Sequence, residues 1–230
     1  MGPGALAEDL AAAALAVARS CARGGTVWSC SPGWAAHARH VAVEFVHPVI
    51  VGKRSLPAWV LDGDDLVGRL RAGSRAGDVL VAVAEAGDAR VRSLMRRVPA
   101  WGITSLWIGA GARPEPGAAD HVLWLDDPLE EAAYGGGFVL AYHLLWELSQ
   151  VCFEHPGLLQ EADEGAEVCT TCSDEGRLAE IVATCGDGTA SARTAAGIEA
   201  VDITLLGESE PGDLVVVHAG TAIARVDADG

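Results

Sequence analysis

Apolar positions along the first 150 or so residues fall into two alternating rhythms. Short runs that are nearly continuous in apolar residues, at 26–30, 58–61, 78–84, 104–109 and 121–125, predict strands covered on both faces. Between them, helical patterns occupy 33–46, 64–72, 88–98 and 139–151, after an alanine-rich first helix over 4–22. Strand-helix alternation of this kind predicts an α/β fold: a doubly wound, five-stranded parallel sheet built from right-handed crossovers. The triplet Gly135, Gly136 and Gly137 is expected to separate a short helix from the last one.

The pattern stops at Glu154. Residues 154–168 hold five acidic residues and no lysine or arginine, with Pro156, Gly157 and Gly165, the composition of a solvated linker. Five short alternating runs follow, at 177–183, 189–194, 199–204, 214–219 and 221–226. Gly-Asp-Gly, Ala-Ala-Gly and Glu-Pro-Gly-Asp separate them, and these are turn chemistries. Five strands in sixty residues predict a small closed β-barrel of the OB-like kind. The expected organisation is an α/β domain over 1–153, an acidic linker over 154–168 and a barrel domain over 169–230.

Composition narrows the function classes. Thirty-two acidic residues against 16 basic ones give a formal charge of −16, which offers no footprint for a phosphate backbone or an anionic membrane. Nucleic acid and membrane are therefore not expected partners. The first helix has neither a basic n-region nor a continuous apolar h-region, and the apolar run 138–153 is interrupted by His143 and Glu147, so a cytoplasmic protein is expected. Of six cysteines, Cys21, Cys30, Cys152 and Cys185 stand alone in apolar or small-residue settings and read as buried thiols. Cys169 and Cys172 alone form a motif, a Cys-x-x-Cys pair that suits a metal or a reversible disulfide.

Other residues have plainer expectations. Ser31 and Pro32 read as an N-cap and N1 pair for the second helix, and His37, Asp62, Asp64 and Asp65 as helix-surface and capping residues. Trp28, Trp59, Trp107 and Trp124 lie in predicted strands, where core packing is the default. His40 and Glu44, four residues apart, share one helix face. The last helix, apolar nearly all round, is expected to be buried in a dimer interface as well as in its own domain.

Three blocks of the carboxy-terminal segment carry a resemblance: Cys169-Thr-Thr-Cys172-Ser-Asp-Glu, Val201-Asp-Ile-Thr-Leu-Leu206, and Pro211-Gly-Asp-Leu-Val-Val-Val-His218-Ala-Gly-Thr-Ala-Ile-Ala-Arg-Val226. The segment resembles the HypC/HupF hydrogenase-formation chaperones. That resemblance implies an accessory protein for maturation of a nickel-iron hydrogenase. It also implies a cysteine and a histidine, Cys172 or Cys169 with His218, that hold an iron atom in transit as an Fe(CN)2CO fragment. A thiolate suits soft low-spin iron, and an imidazole can ligate or hydrogen-bond. Cys172 falls closer to the family spacing, with Cys169 three residues upstream. The implied partners are a HypD-type scaffold and the hydrogenase large-subunit precursor.

A second resemblance lies in Val27-Trp-Ser-Cys-Ser-Pro-Gly-Trp-Ala-Ala-His-Ala-Arg-His40-Val-Ala-Val-Glu44, in Ala76-Gly-Asp-Val-Leu-Val-Ala-Val83 and in Ala84-Glu-Ala-Gly-Asp-Ala89. These resemble sugar isomerase (SIS) domains, especially phosphoheptose isomerases. The resemblance implies zinc at His40, Glu44 and His143, with Gly135 standing where the family has a glutamine ligand. It also implies association through the SIS domain, as a homo-oligomer or docking module. An alternative function follows from it: binding or isomerising a phosphosugar such as sedoheptulose 7-phosphate, with Glu44 and His143 as acid-base groups. Against that alternative, Ala84, Ala86 and Ala89 replace the phosphate-loop serines, and Glu85 and Asp88 bring negative charge into the loop.

Overall fold

The computed structural model describes residues 3–160 and 176–226. It divides into two compact units, Met1–Arg96 with Thr104–Glu161, and Arg97–Ile103 with Ala162–Gly230.

In the first unit five parallel strands run in the order β2-β1-β3-β4-β5: β1 Val27–Cys30, β2 Ala58–Val60, β3 Val79–Val83, β4 Thr104–Ala110 and β5 His121–Leu125. Every neighbouring pair is parallel, as the alternation predicts. Side chains alternate across the pleat. Val27, Val79, Val81, Val83, Leu106, Ile108, Leu123 and Leu125 share one buried cluster with α1 (Pro3–Ala22), α2 (Ala35–Val46), α5 (Leu129–Tyr134) and α6 (Gly137–Glu154). Positions of the opposite parity, among them Trp28, Leu80, Ala82, Trp107 and Trp124, face the other way. Gly73 of α3 (Leu66–Gly73) lies directly against the Trp28 indole, where a Cβ would come within 2.8 Å of the ring. The remaining helix, α4 (Ala89–Arg97), buries Val91, Leu94 and Met95, the i, i+3, i+4 stripe of an amphipathic helix.

Trp107 and Trp124 are buried and meet edge to face, and the core reading of both holds. Gly109 makes room for them, since a Cβ there would lie 2.3 Å from the Trp124 ring. Trp59 departs from expectation: it is 62% exposed, because β2 is a three-residue strand at the sheet edge, with one face uncovered. Trp28 is half-buried. Ser31 and Pro32 do not cap α2 either. The chain turns through them, Trp34 occupies the N-cap position, and Ser31 Oγ donates instead to the Val83 carbonyl at 2.7 Å, tying the first loop to β3. Asp65 does cap α3, accepting from the Gly68 amide at 2.8 Å.

α6 sets the architecture. Phe138, Ala141, Tyr142, Leu145, Trp146 and Ser149 are buried, a stripe at helical spacing. Gly136, with φ 99°, supplies the left-handed turn that separates α5 from α6, as the glycine triplet predicts. Gln150, also buried, holds the loop after α2 by accepting from the Arg54 amide (3.0 Å) and donating to the Arg54 carbonyl (2.8 Å). Leu140 and Leu144, on the outer side of the helix, stay exposed in the single chain. Of the acidic linker, residues 154–160 are described; Glu154 is the last residue of α6 and Pro156–Leu158 form a 3-10 turn.

In the second unit β6 Arg177–Thr184, β7 Thr189–Thr194, β8 Gly197–Asp202, β9 Leu214–His218 and β10 Thr221–Val226 close into a barrel in the order β10-β8-β7-β6-β9, with β9 and β10 paired. The third strand starts and ends two residues earlier than its pattern suggests. Asp202, the last residue of β8, is paired with Thr189 and Thr221, and its side chain accepts the Thr204 amide at 2.8 Å, a local turn that ends the strand. Ala179, Ile181, Ala190, Ala192, Val201, Ile203, Val215, Val217 and Ala222 form the core, four alanines among five β-branched residues that fill the narrow barrel. The register shifts by one residue at Val182 and at Ile223, turning both side chains outward.

The β9–β10 hairpin turns on two residues, Ala219 (φ 48°) and Gly220 (φ 82°), with His218 paired to Thr221. Both central residues have positive φ, the type I′ pattern that favours Asn-Gly over Ala-Gly. Ala219→Asn is expected to stabilise the barrel by about 0.5–1 kcal/mol by relieving the left-handed strain of alanine. Chemical denaturation would read this as a higher midpoint at unchanged slope.

Candidate functional site

Two candidate sites stand in the structure, one in each unit. In the first unit, helical spacing aligns His37, His40, Val41 and Glu44 along α2. The buried stripe of α6 brings Tyr142 and His143 against that face. His40 Nε2 lies 3.3 Å from Glu44 Oε1 and 3.2 Å from His143 Nε2, and His143 Nε2 lies 3.3 Å from Glu44 Oε1. The three atoms form a nearly equilateral triangle. Glu44 is buried at 7% exposure, while both imidazoles are half-open to solvent.

A tetrahedral zinc ion with bonds of about 2.0–2.1 Å has ligand-to-ligand edges of roughly 3.3–3.4 Å. The triangle matches one face of that tetrahedron, and its two imidazoles and one carboxylate are ordinary zinc donors. Three protein ligands with a fourth position left over is the donor count of a reactive rather than a purely structural zinc site. Among the described residues no other histidine, cysteine or carboxylate joins this group. Gly135, at the position of the expected fourth ligand, has no side chain to offer.

Behind the triangle lies a second set of contacts that sequence reasoning missed. Tyr142 Oη is 2.8 Å from His40 Nδ1 and 3.4 Å from His37 Nδ1, and His37 Nε2 is 2.9 Å from the Ala133 carbonyl. His37, read from the sequence as a helix-surface residue, is buried, packed edge-on against Phe138 and Tyr142. Burial lowers its pKa despite the bond to Ala133, so it is neutral near pH 7. Burial, helped by the Glu44 charge, pushes the Tyr142 phenol up to about 12, so its hydroxyl keeps its proton. The available signal was the i, i+3 spacing of His37 and His40 and the adjacency of Tyr142 and His143.

At the loop before α4, two amides of the helix start are already engaged. Asp88 Oδ1 accepts from the Arg90 amide (2.9 Å) and the Val91 amide (3.3 Å), so a carboxylate of the chain itself occupies the start of α4. Its other oxygen pairs with the Arg90 guanidinium at 3.0 Å. Trp34 packs against Phe138 at the first loop.

In the second unit, the histidine singled out by sequence, His218, is the last residue of β9, half-buried beside the hairpin turn. Gly212 (φ 98°) turns the chain into this strand, and Asp213 Oδ2 accepts the Glu210 amide at 3.0 Å to fix that turn. Cys169 and Cys172 lie outside the described residues. Of the other cysteines, Cys30 and Cys152 are buried as expected and Cys21 is half-buried, but Cys185 is exposed because it sits in the β6–β7 turn. Burial, reinforced by the charges of Asp78 and Asp88 respectively, raises the thiols of Cys21 and Cys30 to about 12, so neither presents a thiolate at neutral pH.

Comparison with known proteins places these units. The model of the HupF/HypC family matches residues 176–230. Among solved structures, the phosphoheptose isomerase from Francisella tularensis has a TM-score of 0.54 and 17% identity, covering 63% of this chain and 86% of its own. The phosphoheptose isomerase from Neisseria gonorrhoeae has a TM-score of 0.53 and 21% identity, covering 64% and 87%. At these identities the likeness is one of fold. No curated protein matches the chain. Among the described residues no helix is long and apolar enough to cross a membrane. The chain thus joins an α/β unit with the fold of phosphoheptose isomerases to a closed barrel whose residues 176–230 match the HupF/HypC family.

Proposed function

We propose that this protein is an accessory factor in the maturation of a nickel-iron hydrogenase. Its barrel carries or hands on the Fe(CN)2CO fragment as cargo, in concert with a HypD-type scaffold and the large-subunit precursor. The observation that supports this reading is the family match over 176–230, which includes the whole Gly212–Ala222 signature with His218 at the end of β9. A strand-end imidazole beside a rigid two-residue turn suits a ligand or hydrogen-bonding role toward an iron fragment. Cys172 or Cys169 is the proposed thiolate. The SIS-like unit serves as a dimerisation or docking module.

A separate observation favours a second activity in the first unit. The His40–Glu44–His143 triangle supports a resident zinc ion there, which would act as a Lewis acid toward a ligand in its open position. A phosphosugar ligand is disfavoured by Asp88, whose carboxylate already holds the amides at the start of α4.

Tagged full-length protein from hydrogenase-producing cells is expected to retain a HypD-like protein or a large-subunit precursor. Replacing Cys172 or Cys169 by alanine, whichever is the functional thiol, is expected to abolish that association. Retention of neither partner by the wild-type chain contradicts the maturation reading. For the triangle, a Cys169→Ser, Cys172→Ser background removes thiol competition for metal. Calorimetry there is expected to show one zinc per chain, with an affinity loss for His143→Ala greater than the ~10–100-fold typical of lost outer-shell partners. Saturation at 100 times the dissociation constant should stabilise the protein by about 2.7 kcal/mol.

A further inference from the structure

His37, Tyr142 and His40 form a directed line of hydrogen bonds whose far end is a backbone carbonyl. Ala133 O can only accept, so the ring atom 2.9 Å from it, His37 Nε2, carries the proton. In neutral His37 the other nitrogen, Nδ1, is then a lone pair in a buried setting. Its neighbour at 3.4 Å is Tyr142 Oη, so the phenol must donate to it for that lone pair to be satisfied. A hydroxyl has one proton. Once spent on His37, it leaves Tyr142 Oη as an acceptor toward His40 Nδ1 at 2.8 Å. His40 must therefore carry its proton on Nδ1, and His40 Nε2 is left as a lone pair facing into the triangle.

The reverse direction fails at one place. If Tyr142 donated to His40, the buried His37 Nδ1 would face an oxygen lone pair, a loss of about 1–3 kcal/mol for a buried acceptor without a donor. In the metal-free protein the favoured direction leaves His40 Nε2 and Glu44 Oε1, 3.3 Å apart, both as acceptors that one proton must serve. His143 Nε2–H there lies within reach of both Glu44 Oε1 and His40 Nε2.

We propose that His37 and Tyr142 are positioning residues that fix the tautomer of His40, so that its Nε2 faces the triangle as a lone pair before any cation arrives. This rests on the reading of the triangle as a metal site, and it adds two residues from outside the ligand set. His37 acts only through Tyr142. Fixing the tautomer in advance removes a rearrangement from binding and holds the ring plane.

Two measurements test this on the full-length chain. Long-range proton-nitrogen NMR of metal-free, nitrogen-15-histidine-labelled protein, with His40 assigned from His40→Gln, should show the proton on Nδ1; a proton on Nε2 overturns the proposal. In calorimetry with zinc, Tyr142→Phe and His37→Leu should each lower affinity by roughly 10–100-fold, the range for outer-shell partners. His37→Leu added to Tyr142→Phe should lower it no further. Unchanged affinity in Tyr142→Phe, or additive losses in the double variant, overturns it. Should wild-type protein bind no zinc, the metal reading fails, and the NMR result alone then decides the relay.

Discussion

The packing of α6 across α2 is the contact on which the chemistry of the first unit depends. Neither helix holds a site alone: α2 brings His40 and Glu44, α6 brings His143, and the three polar atoms meet because Phe138, Ala141, Tyr142 and Leu145 are driven into the core with Val41 and Phe45. The apolar stripe thereby fixes the polar triangle one step around the helix. Burying Glu44 beside two imidazoles is costly for an unpaired carboxylate and reasonable for one that shares a cation or a proton.

The loops around the triangle are arranged by the same packing. Phosphoheptose isomerase-like folds are met here with a first loop filled by Trp34 against Phe138, and with a helix start that Asp88 caps itself. Both features fill loops at the edge of the sheet and leave the sheet itself untouched. The His40–Glu44–His143 triangle stands on helix faces, and those are held by the core rather than by the loops. In the barrel the division is different. Its interior is filled by alanine, valine and isoleucine side chains, and His218 stands outside that core, at the end of β9 beside the hairpin turn.

Legibility in the sequence followed burial. Strands covered on both faces wrote continuous apolar runs, and all five of the sheet were readable, as was the glycine break before α6. Trp59 was misplaced because a three-residue edge strand has the same composition as a central one, and only the sheet order reveals its open face. Ser31 was misassigned because its hydroxyl found the Val83 carbonyl, a partner 52 residues away that no local pattern contains. His40 and Glu44 were legible from their spacing and His143 from family resemblance. His37 and Tyr142 were not, since a polar residue in a helix reads as surface until the helix that covers it, about 100 residues further on, is in place. His218 was visible through its surrounding motif, and it stands at the end of β9, beside the hairpin turn at Ala219 and Gly220.

The central claim concerns the cargo, and vibrational spectroscopy addresses it without reference to any partner. Infrared spectra of the full-length protein, purified without oxygen from cells assembling a nickel-iron hydrogenase, should contain stretching bands of iron-bound cyanide and carbon monoxide. Those bands should vanish when Cys169 and Cys172 are both replaced by alanine, and weaken or shift in His218→Ala. Iron-loaded protein without such bands, or bands indifferent to all three residues, would contradict the account.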